Sequence, residues 1–104
     1  MAAQVTILQN AQSGNANGTA LHHPECLTIT LQVVGSTFTG TVNFEGSLDG
    51  VTWAAIALND SAGSPKSTAS TDGIFGGTAL VPYFRARTSG VSAGSVTVTA
   101  RSIS

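Results

Sequence analysis

The chain has 104 residues, a length that fits one domain with a core of its own. Only 9% of the residues are charged and the formal net charge is −1, so the sequence offers no basic surface for nucleic acid or anionic lipid. The single cysteine, Cys26, excludes an intrachain disulfide and with it a small disulfide-stapled scaffold.

Solubility must come from Ser, Thr, Asn, Gln and Gly, because charged residues are scarce. A weakly charged, hydroxyl-rich exterior suits packing against other protein. The sequence contains no apolar run that approaches the ~20 residues needed to cross a bilayer. Met1–Val5 lacks the basic region and the long apolar stretch of a secretory signal. We therefore expect synthesis in the cytoplasm and no membrane partner.

The first twenty residues are predicted to form an edge strand or an arm that contacts a partner. Alternation of polar and apolar residues predicts a short strand from about Ala3 to Gln9, whose two faces are poorly separated. Asn10–Gly18 consists of turn-forming residues and predicts an exposed loop. The loop residues that we expect to contact a partner are Asn10, Ser13, Asn15 and Asn17.

Four side chains in the segment 22–26 can bind metal: His22, His23, Glu25 and Cys26. A zinc site needs four ligands at set spacing, usually from two clusters, and the chain has no other His or Cys. Pro24 also stiffens the segment. We therefore expect no metal or other cofactor, and we predict that Cys26 is a small buried residue at the head of a strand.

The clearest strand follows, with apolar residues at alternate positions from Leu27 to Val33. Gly35 and Ser36 are predicted to end it. A shorter strand is predicted before the histidines, from Thr19 to Leu21.

The stretch Thr37–Leu58 predicts a β-hairpin. Apolar residues between Phe38 and Phe44 share one face of its first strand, while polar residues share the other. Asp49 and Gly50 supply the turn, because Gly accepts positive φ without steric cost. Trp53 opens the return strand, and its large indole is predicted to lie in the core.

Asn59–Gly73 is a long polar segment without apolar periodicity and is predicted to be the longest loop. Loops of this length are usually functional, so we expect a second partner contact here. The residues expected to make it are Asp60, Ser64, Lys66 and Thr71. Asp49, Asp60 and Asp72 have the oxygen ligands that calcium takes, but they lie singly, and roles in turns explain them better.

The strand predicted next, Ala79–Thr88, places Tyr83, Arg85 and Arg87 on one face. These side chains form either a recognition stripe for carboxylates or sugars, or a cross-strand ion pair with Glu45. Both alternatives follow from the sequence.

The remaining pattern is also that of strands and turns. Pro82 must lie at an edge, a bulge or a strand's start, because it cannot donate to a sheet ladder. Ser89–Gly94 predicts the last turn and Ser95–Ile103 the final strand. Together these elements predict an all-β protein, a single antiparallel β-sandwich domain over residues 1–104 with six to eight short strands, Ig-like or jelly-roll-like.

We do not expect an enzyme. The sequence has no Gly-x-Ser-x-Gly elbow, and its two histidines are adjacent on one loop without a matching acid motif. The hairpin brings Glu45 and Asp49 near each other, but a solvated strand position and a turn explain them better than a catalytic carboxylate pair.

The stretches Phe44–Trp53 and Tyr83–Gly90, with the closing Gly94–Thr99, resemble a pair of signatures seen in small β-sandwich virion proteins of tailed bacteriophages. That family includes head decoration proteins and tail-associated modules. The resemblance covers roughly the C-terminal two-thirds of the chain and transfers architecture more securely than function. Its fold-defining residues in this sequence are Phe44, Asp49, Gly50, Trp53, Tyr83, Arg85 and Arg87.

The resemblance implies a protein without catalysis that binds the outside of an assembled capsid, often as a trimer, and strengthens it against internal pressure. We therefore expect a capsid decoration protein located in the virion, whose partner is the major capsid protein or another virion protein. Two alternatives remain open. One is a carbohydrate-binding module in which Trp53 or Tyr83 stacks on a sugar ring; the other is a tail or fibre module that is both structural and adhesive.

Overall fold

The computed structural model describes residues 3–78 and 81–104. These residues form β-strands and no helix, which confirms the predicted all-β, antiparallel class. None of them belongs to a helix long and apolar enough to span a membrane. The strands are β1 (Ala3–Gln12), β2 (Leu21–His22), β3 (Thr28–Ser47), β4 (Ala54–Ala55), β5 (Leu58–Asn59), β6 (Pro65–Lys66), β7 (Thr68–Ala69), β8 (Gly73–Thr78) and β9 (Tyr83–Ile103).

All nine described strands join in one hydrogen-bonded sheet. Its main path runs β1-β9-β3-β8-β5-β6, while β2 pairs with β9 and both β4 and β7 pair with β3. β3 and β9 are 20 and 21 residues long, and they pair from Thr28 opposite Ile103 to Ser47 opposite Tyr83. The strands therefore differ in number and length from the six to eight short ones predicted, and the Ig-like or jelly-roll sandwich stays a prediction.

Two predicted breaks, at Gly35-Ser36 and at Ser89–Gly94, do not end a strand. β3 and β9 continue through them, with register shifts between Ser36 and Thr41. A bulge absorbs extra residues without ending the ladder, which is why residues typical of turns lie inside strands here. Gly94 has a φ of 70°, and a Cβ there would lie 2.4 Å from the Ser36 carbonyl oxygen. The chain therefore requires glycine at this bend.

Buried residues from both halves of β3 and β9 meet in one core. In β3 the buried positions are odd-numbered before the bulge and even-numbered after it, apart from Ser47 at the end of the strand, because the bulge changes the alternation of faces. Since both halves bury side chains in the same core, the sheet curves around it. The core residues are Leu8, Leu21, Cys26, Ile29, Leu31, Val33, Val42, Phe44, Leu58, Ala69, Phe75, Phe84, Ala86, Val96, Val98 and Ala100.

The predicted long loop, Asn59–Gly73, contains short strands. β6 and β7 lie inside it, and Ala69 of β7 is buried in the core. β7 pairs with β3 at Val42, and the Phe44 N–H donates to the Ser67 carbonyl oxygen at 2.9 Å. β6 and β7 are two residues long and lie in a mostly polar segment, so side-chain periodicity gave no signal for them.

β1 lies at the edge of the sheet, as predicted. Among the described strands it pairs with β9 alone, from Ala3 opposite Ile103 to Gln12 opposite Val96. It extends three residues beyond the predicted end at Gln9, through bulges. At the other predicted strand boundary, Pro82 directly precedes β9, which agrees with a place at a strand's start. Ala79 and Leu80, where that strand was predicted to begin, lie outside the described residues.

Candidate functional site

The turn between β3 and β4 is held by its own side chains. Asp49 Oδ1 accepts the N–H groups of Val51 and Thr52 at 2.8 and 2.9 Å, and Ser47 Oγ accepts those of Asp49 and Gly50. The hydrogen bonds that Asp49 Oδ1 accepts, from the Thr52 N–H first and then from the Val51 N–H and the Ser47 hydroxyl, lower the pKa of the Asp49 carboxyl. Gly50 has a φ of 76°. The predicted Asp49-Gly50 turn is confirmed.

Tyr83 packs against this turn at the start of β9. Its ring is stacked on that of His22, with centroids 4.3 Å apart and planes 5° from parallel. A Cβ at position 50 would lie 3.2 Å from a Tyr83 ring carbon, so Gly50 serves both the turn and this close contact. Other residues of the chain therefore already cover much of the Tyr83 ring.

Glu45 lies between two arginines on the outer face of β3 and β9. Arg85 Nε donates to Glu45 Oε1 at 2.7 Å, and Arg87 Nε lies 3.3 Å from both carboxylate oxygens. Glu45 and Arg85 are directly opposite in the register. The predicted cross-strand ion pair is confirmed, and it includes a second arginine. We call Glu45, Arg85 and Arg87 the charged cluster.

Trp53 lies beside the charged cluster, half-buried, and its predicted place in the core is wrong. The Arg85 guanidinium carbon lies 4.3 Å from the centroid of its ring. In the core, the rings of Phe44 and Phe75 pack with centroids 5.1 Å apart. The return strand begins at Ala54, one residue after Trp53, so the alternation of strand faces does not apply to the indole.

The loop predicted to contact a partner, Asn10–Gly18, is docked on β9. The Ala16 N–H donates to Thr88 Oγ1 at 2.8 Å, and the Thr88 N–H donates to the Ala16 carbonyl oxygen at 2.9 Å. Asn15 Oδ1 accepts the Val91 N–H at 2.9 Å, so Asn15 holds the loop in place. The other three predicted contact residues, Asn10, Ser13 and Asn17, are exposed.

Three of the four contact residues predicted in the second segment line one open pocket of about 460 Å³: Asp60, Lys66 and Thr71. Ser64 is not part of its lining, and the Ser64 N–H donates to Asp60 Oδ1 at 3.0 Å. Asp72 lines the pocket too, and its Oδ1 accepts the Gly35 N–H at 2.7 Å. The fold thus brings together side chains that the sequence placed only on one segment.

The side chains considered as metal ligands make contacts within the fold. His23 is buried, and its Nδ1 lies 2.7 Å from Ser102 Oγ. Cys26 is buried as predicted, its Sγ donates to the Thr28 carbonyl oxygen at 3.4 Å, and burial raises the pKa of its thiol. Over residues 3–78 and 81–104, no three His, Cys, Asp or Glu side chains form a group that could hold a metal ion.

An apolar surface that the sequence pattern did not predict lies on the outer side of the sheet. Val5, Ile7, Val34 and Ile74 are between 48 and 67% exposed there, and we call them the outer apolar face. The register places Ile7 and Ile74 in one row across β1, β9, β3 and β8. Arg101, opposite Val5, is the charged residue in these rows. Thr99 and Gln32 lie between Ile7 and Ile74 in that row, and only the pairing register could have shown that these residues share one surface.

The fold is shared with two solved structures, while no protein-family model and no curated protein sequence matches the chain. The SPBc2 prophage-derived protein YomS aligns with a TM-score of 0.88 and 16% identity, over 99% of this chain and 94% of that one. The PBSX exported protein XepA aligns with a TM-score of 0.90 and 12% identity. That alignment covers 99% of this chain and 38% of XepA.

Both neighbours are phage-derived. The chain therefore has a fold that occurs in phage-derived proteins. At 12 to 16% identity, the similarity establishes the fold alone.

Proposed function

We propose that the chain is a non-enzymatic structural protein of a phage particle, and specifically a decoration protein bound to the outside of the capsid. Its partner is the major capsid protein or another virion protein, and it acts as a homo-oligomer, with a trimer favoured. It is made in the cytoplasm of the bacterial host and functions in the virion without a cofactor. The phage-derived origin of both structural neighbours supports this proposal.

The outer apolar face is the observation that carries the proposal. Its four aliphatic side chains lie on β1, β3 and β8 of one sheet surface, with Thr99 and Gln32 between Ile7 and Ile74, and Arg101 is the charge beside them. Covering such a face with another protein removes apolar area from water, while Arg101 is the one charged side chain of these described rows that must lose hydration.

The edge of β1 away from β9 is covered by no described strand, although the Leu8 carbonyl oxygen accepts the Thr19 N–H, and it adds backbone groups to the same surface. Ala3–Gln12 contains neither a charged residue nor a proline, the two devices that most often block addition of another strand. A strand of a neighbouring chain that pairs with β1 would also cover Val5 and Ile7. The edge and the face therefore support one contact.

Quantitative mass spectrometry of purified particles tests the proposed location. We expect a copy number that matches the capsid lattice, in particles from the phage that encodes this chain. A handful of copies would place the protein in a tail or fibre, and absence from particles would refute a virion role.

The contact surface can be tested by adding purified protein to particles that lack it. A variant with Val5→Thr and Ile7→Thr keeps β-branched side chains but loses apolar surface, and we expect its binding to weaken at least about tenfold. Val51→Thr changes an even more exposed aliphatic residue, on the hairpin turn, and should bind like the wild type. Equal weakening of both variants, or none in the first, would place the contact elsewhere.

Carbohydrate binding, alone or within a tail or fibre adhesion module, is a second candidate. The pocket of Asp60, Lys66 and Thr71 favours it, because carboxylates and hydroxyl groups hydrogen-bond sugar hydroxyls. Trp53 and Tyr83 support it less, since Arg85 and His22 pack on their rings. Saturable binding on a glycan array that is lost in Asp60→Asn would support this candidate, and the absence of binding would refute it.

A further inference from the structure

The charged cluster has one more positive charge than its own carboxylate balances. Glu45 contacts Arg85 and Arg87 through their Nε atoms, and no other acidic side chain of the described residues pairs with either arginine. The side chains of Arg85 and Glu45 are 16 and 13% exposed, while that of Arg87 is 36% exposed. A partly buried excess charge is costly unless an anion pairs with it.

The cluster also has hydrogen-bond donors to spare. Within the described part of the chain, the Nη groups of both arginines donate to no acceptor. A guanidinium presents its donors in one plane, a geometry that matches the two oxygens of a carboxylate. Trp53 covers one side of the Arg85 guanidinium and limits the water molecules that can compete with a carboxylate for its donors.

We propose that Arg85 and Arg87 form a binding site for a carboxylate group of another molecule. Arg87 is the more exposed arginine and receives the ligand, while Arg85, held between Glu45 and Trp53, is a positioning residue. The single excess charge matches a monoanionic carboxylate better than a phosphate dianion. This site lies on the half of the ladder away from the outer apolar face, so it does not depend on the proposed capsid contact.

Trp53 is the only tryptophan of the chain, so its fluorescence reports on the cluster. We would titrate the full chain, at constant ionic strength, with sodium acetate and with a capped Gly-Glu-Gly peptide. A capped Gly-Gln-Gly peptide is the uncharged comparison. We expect a saturable change of Trp53 fluorescence with acetate and with the Glu peptide. Tighter binding of acetate would indicate a small-molecule ligand, and tighter binding of the Glu peptide would indicate a protein side chain. An equal response to the Gln peptide would overturn the proposal.

Matched variants separate specific binding from the effect of net charge. Arg87→Gln should weaken binding of the Glu peptide at least about tenfold. Arg101→Gln also removes one positive charge, but beside the outer apolar face. This variant should bind the Glu peptide as the wild type does. Glu45→Gln removes the internal carboxylate and should bind the peptide more tightly than the wild type does.

Arg87→Lys keeps the charge but loses the planar donors of the guanidinium. If Arg87→Gln does not fold, Arg87→Lys is measured in its place. It should bind the peptide more weakly than the wild type. Equal binding by the Arg87 and Arg101 variants would overturn the proposal, as would tighter binding of inorganic phosphate than of acetate.

Discussion

The two halves of the β3–β9 ladder carry different outer faces. In the turn half, where Thr41–Ser47 pairs with Tyr83–Ser89, the outward residues form a half-buried polar network around Glu45. In the far half, where Thr28–Val34 pairs with Thr97–Ile103, they are four threonines with Gln32, Arg101, Ile103 and the exposed Val34, and the exposed Val5, Ile7 and Ile74 flank them on β1 and β8. A face with polar contacts of its own depends less on a partner for stability, whereas exposed methyl groups gain from being covered.

Gly94→Ala changes the bend that joins the two halves of the ladder. Of the substitutions proposed, it should lower the free energy of unfolding the most. A Cβ at Gly94 would lie 2.3 Å from the Thr37 carbonyl oxygen, and backbone atoms cannot move away cheaply. We expect the free energy of unfolding, measured by urea denaturation, to fall by more than about 4 kcal/mol. Gly90 also has a positive φ, but a Cβ there would have no atom within 4 Å. Gly90→Ala should therefore lower the free energy of unfolding by about 1–2 kcal/mol. Similar costs would mean that backbone strain alone governs the bend.

Phe44→Ala and Trp53→Ala compare the inner and outer faces of the turn half. Phe44 is fully buried, so its truncation should cost about 3–5 kcal/mol of unfolding free energy. Trp53 is half-buried under Arg85, so its loss should cost about 1–2 kcal/mol. Both values come from urea denaturation. Equal costs would contradict the placement of the indole outside the core.

Glu45→Gln tests how strongly the polar network holds the turn half together. The variant leaves two partly buried guanidiniums without a carboxylate and should cost about 1–3 kcal/mol of unfolding free energy. A double-mutant cycle with Arg85→Gln measures the coupling, which should weaken in molar salt. Arg101→Gln, in the far half, should change stability by no more than about 0.5 kcal/mol. A coupling near zero would mean that the ion pair adds no stability.

Asp49→Asn should have the smallest effect, and one that depends on pH. Because the folded chain lowers the pKa of Asp49, its ionised carboxylate adds stability above the unfolded value of about 3.9. That contribution is lost as the pH falls through the lower folded pKa. Thermal melts should therefore show the wild type above the variant at neutral pH, with a gap that closes in acid. A gap independent of pH would show that the charge of Asp49 is not involved.

Local signals in the sequence were sufficient for three features of the turn half: its buried face, its turn and its ion pair. The alternation around Phe44 predicted its buried face, and Asp49-Gly50 predicted the turn. The shared parity of Arg85 and Arg87 predicted that both could meet Glu45. Each of these predictions depends on one strand's alternation or on residues close together in the chain.

The other features depend on which strands pair, and no single segment of the sequence contains that information. Gly and Ser inside a bulge look like Gly and Ser at a turn, so the continuity of β3 and β9 was missed. Val5 and Ile74 become part of one surface only through the register. Trp53 was misplaced because the return strand starts one residue later than predicted.

The long ladder between β3 and β9 also sets the order in which the protein can fold. Its pairs join Thr28 to Ile103 and Ser47 to Tyr83, so most of it connects residues that are far apart in the chain. Non-local pairing of this kind folds slowly, while the local turn at Asp49 can form early. During synthesis, the edge of β3 that pairs with β9 stays unpaired until residues 83–103 have left the ribosome, although its other edge can already pair with β4, β7 and β8. Until then that edge is open to chaperones and to neighbouring nascent chains.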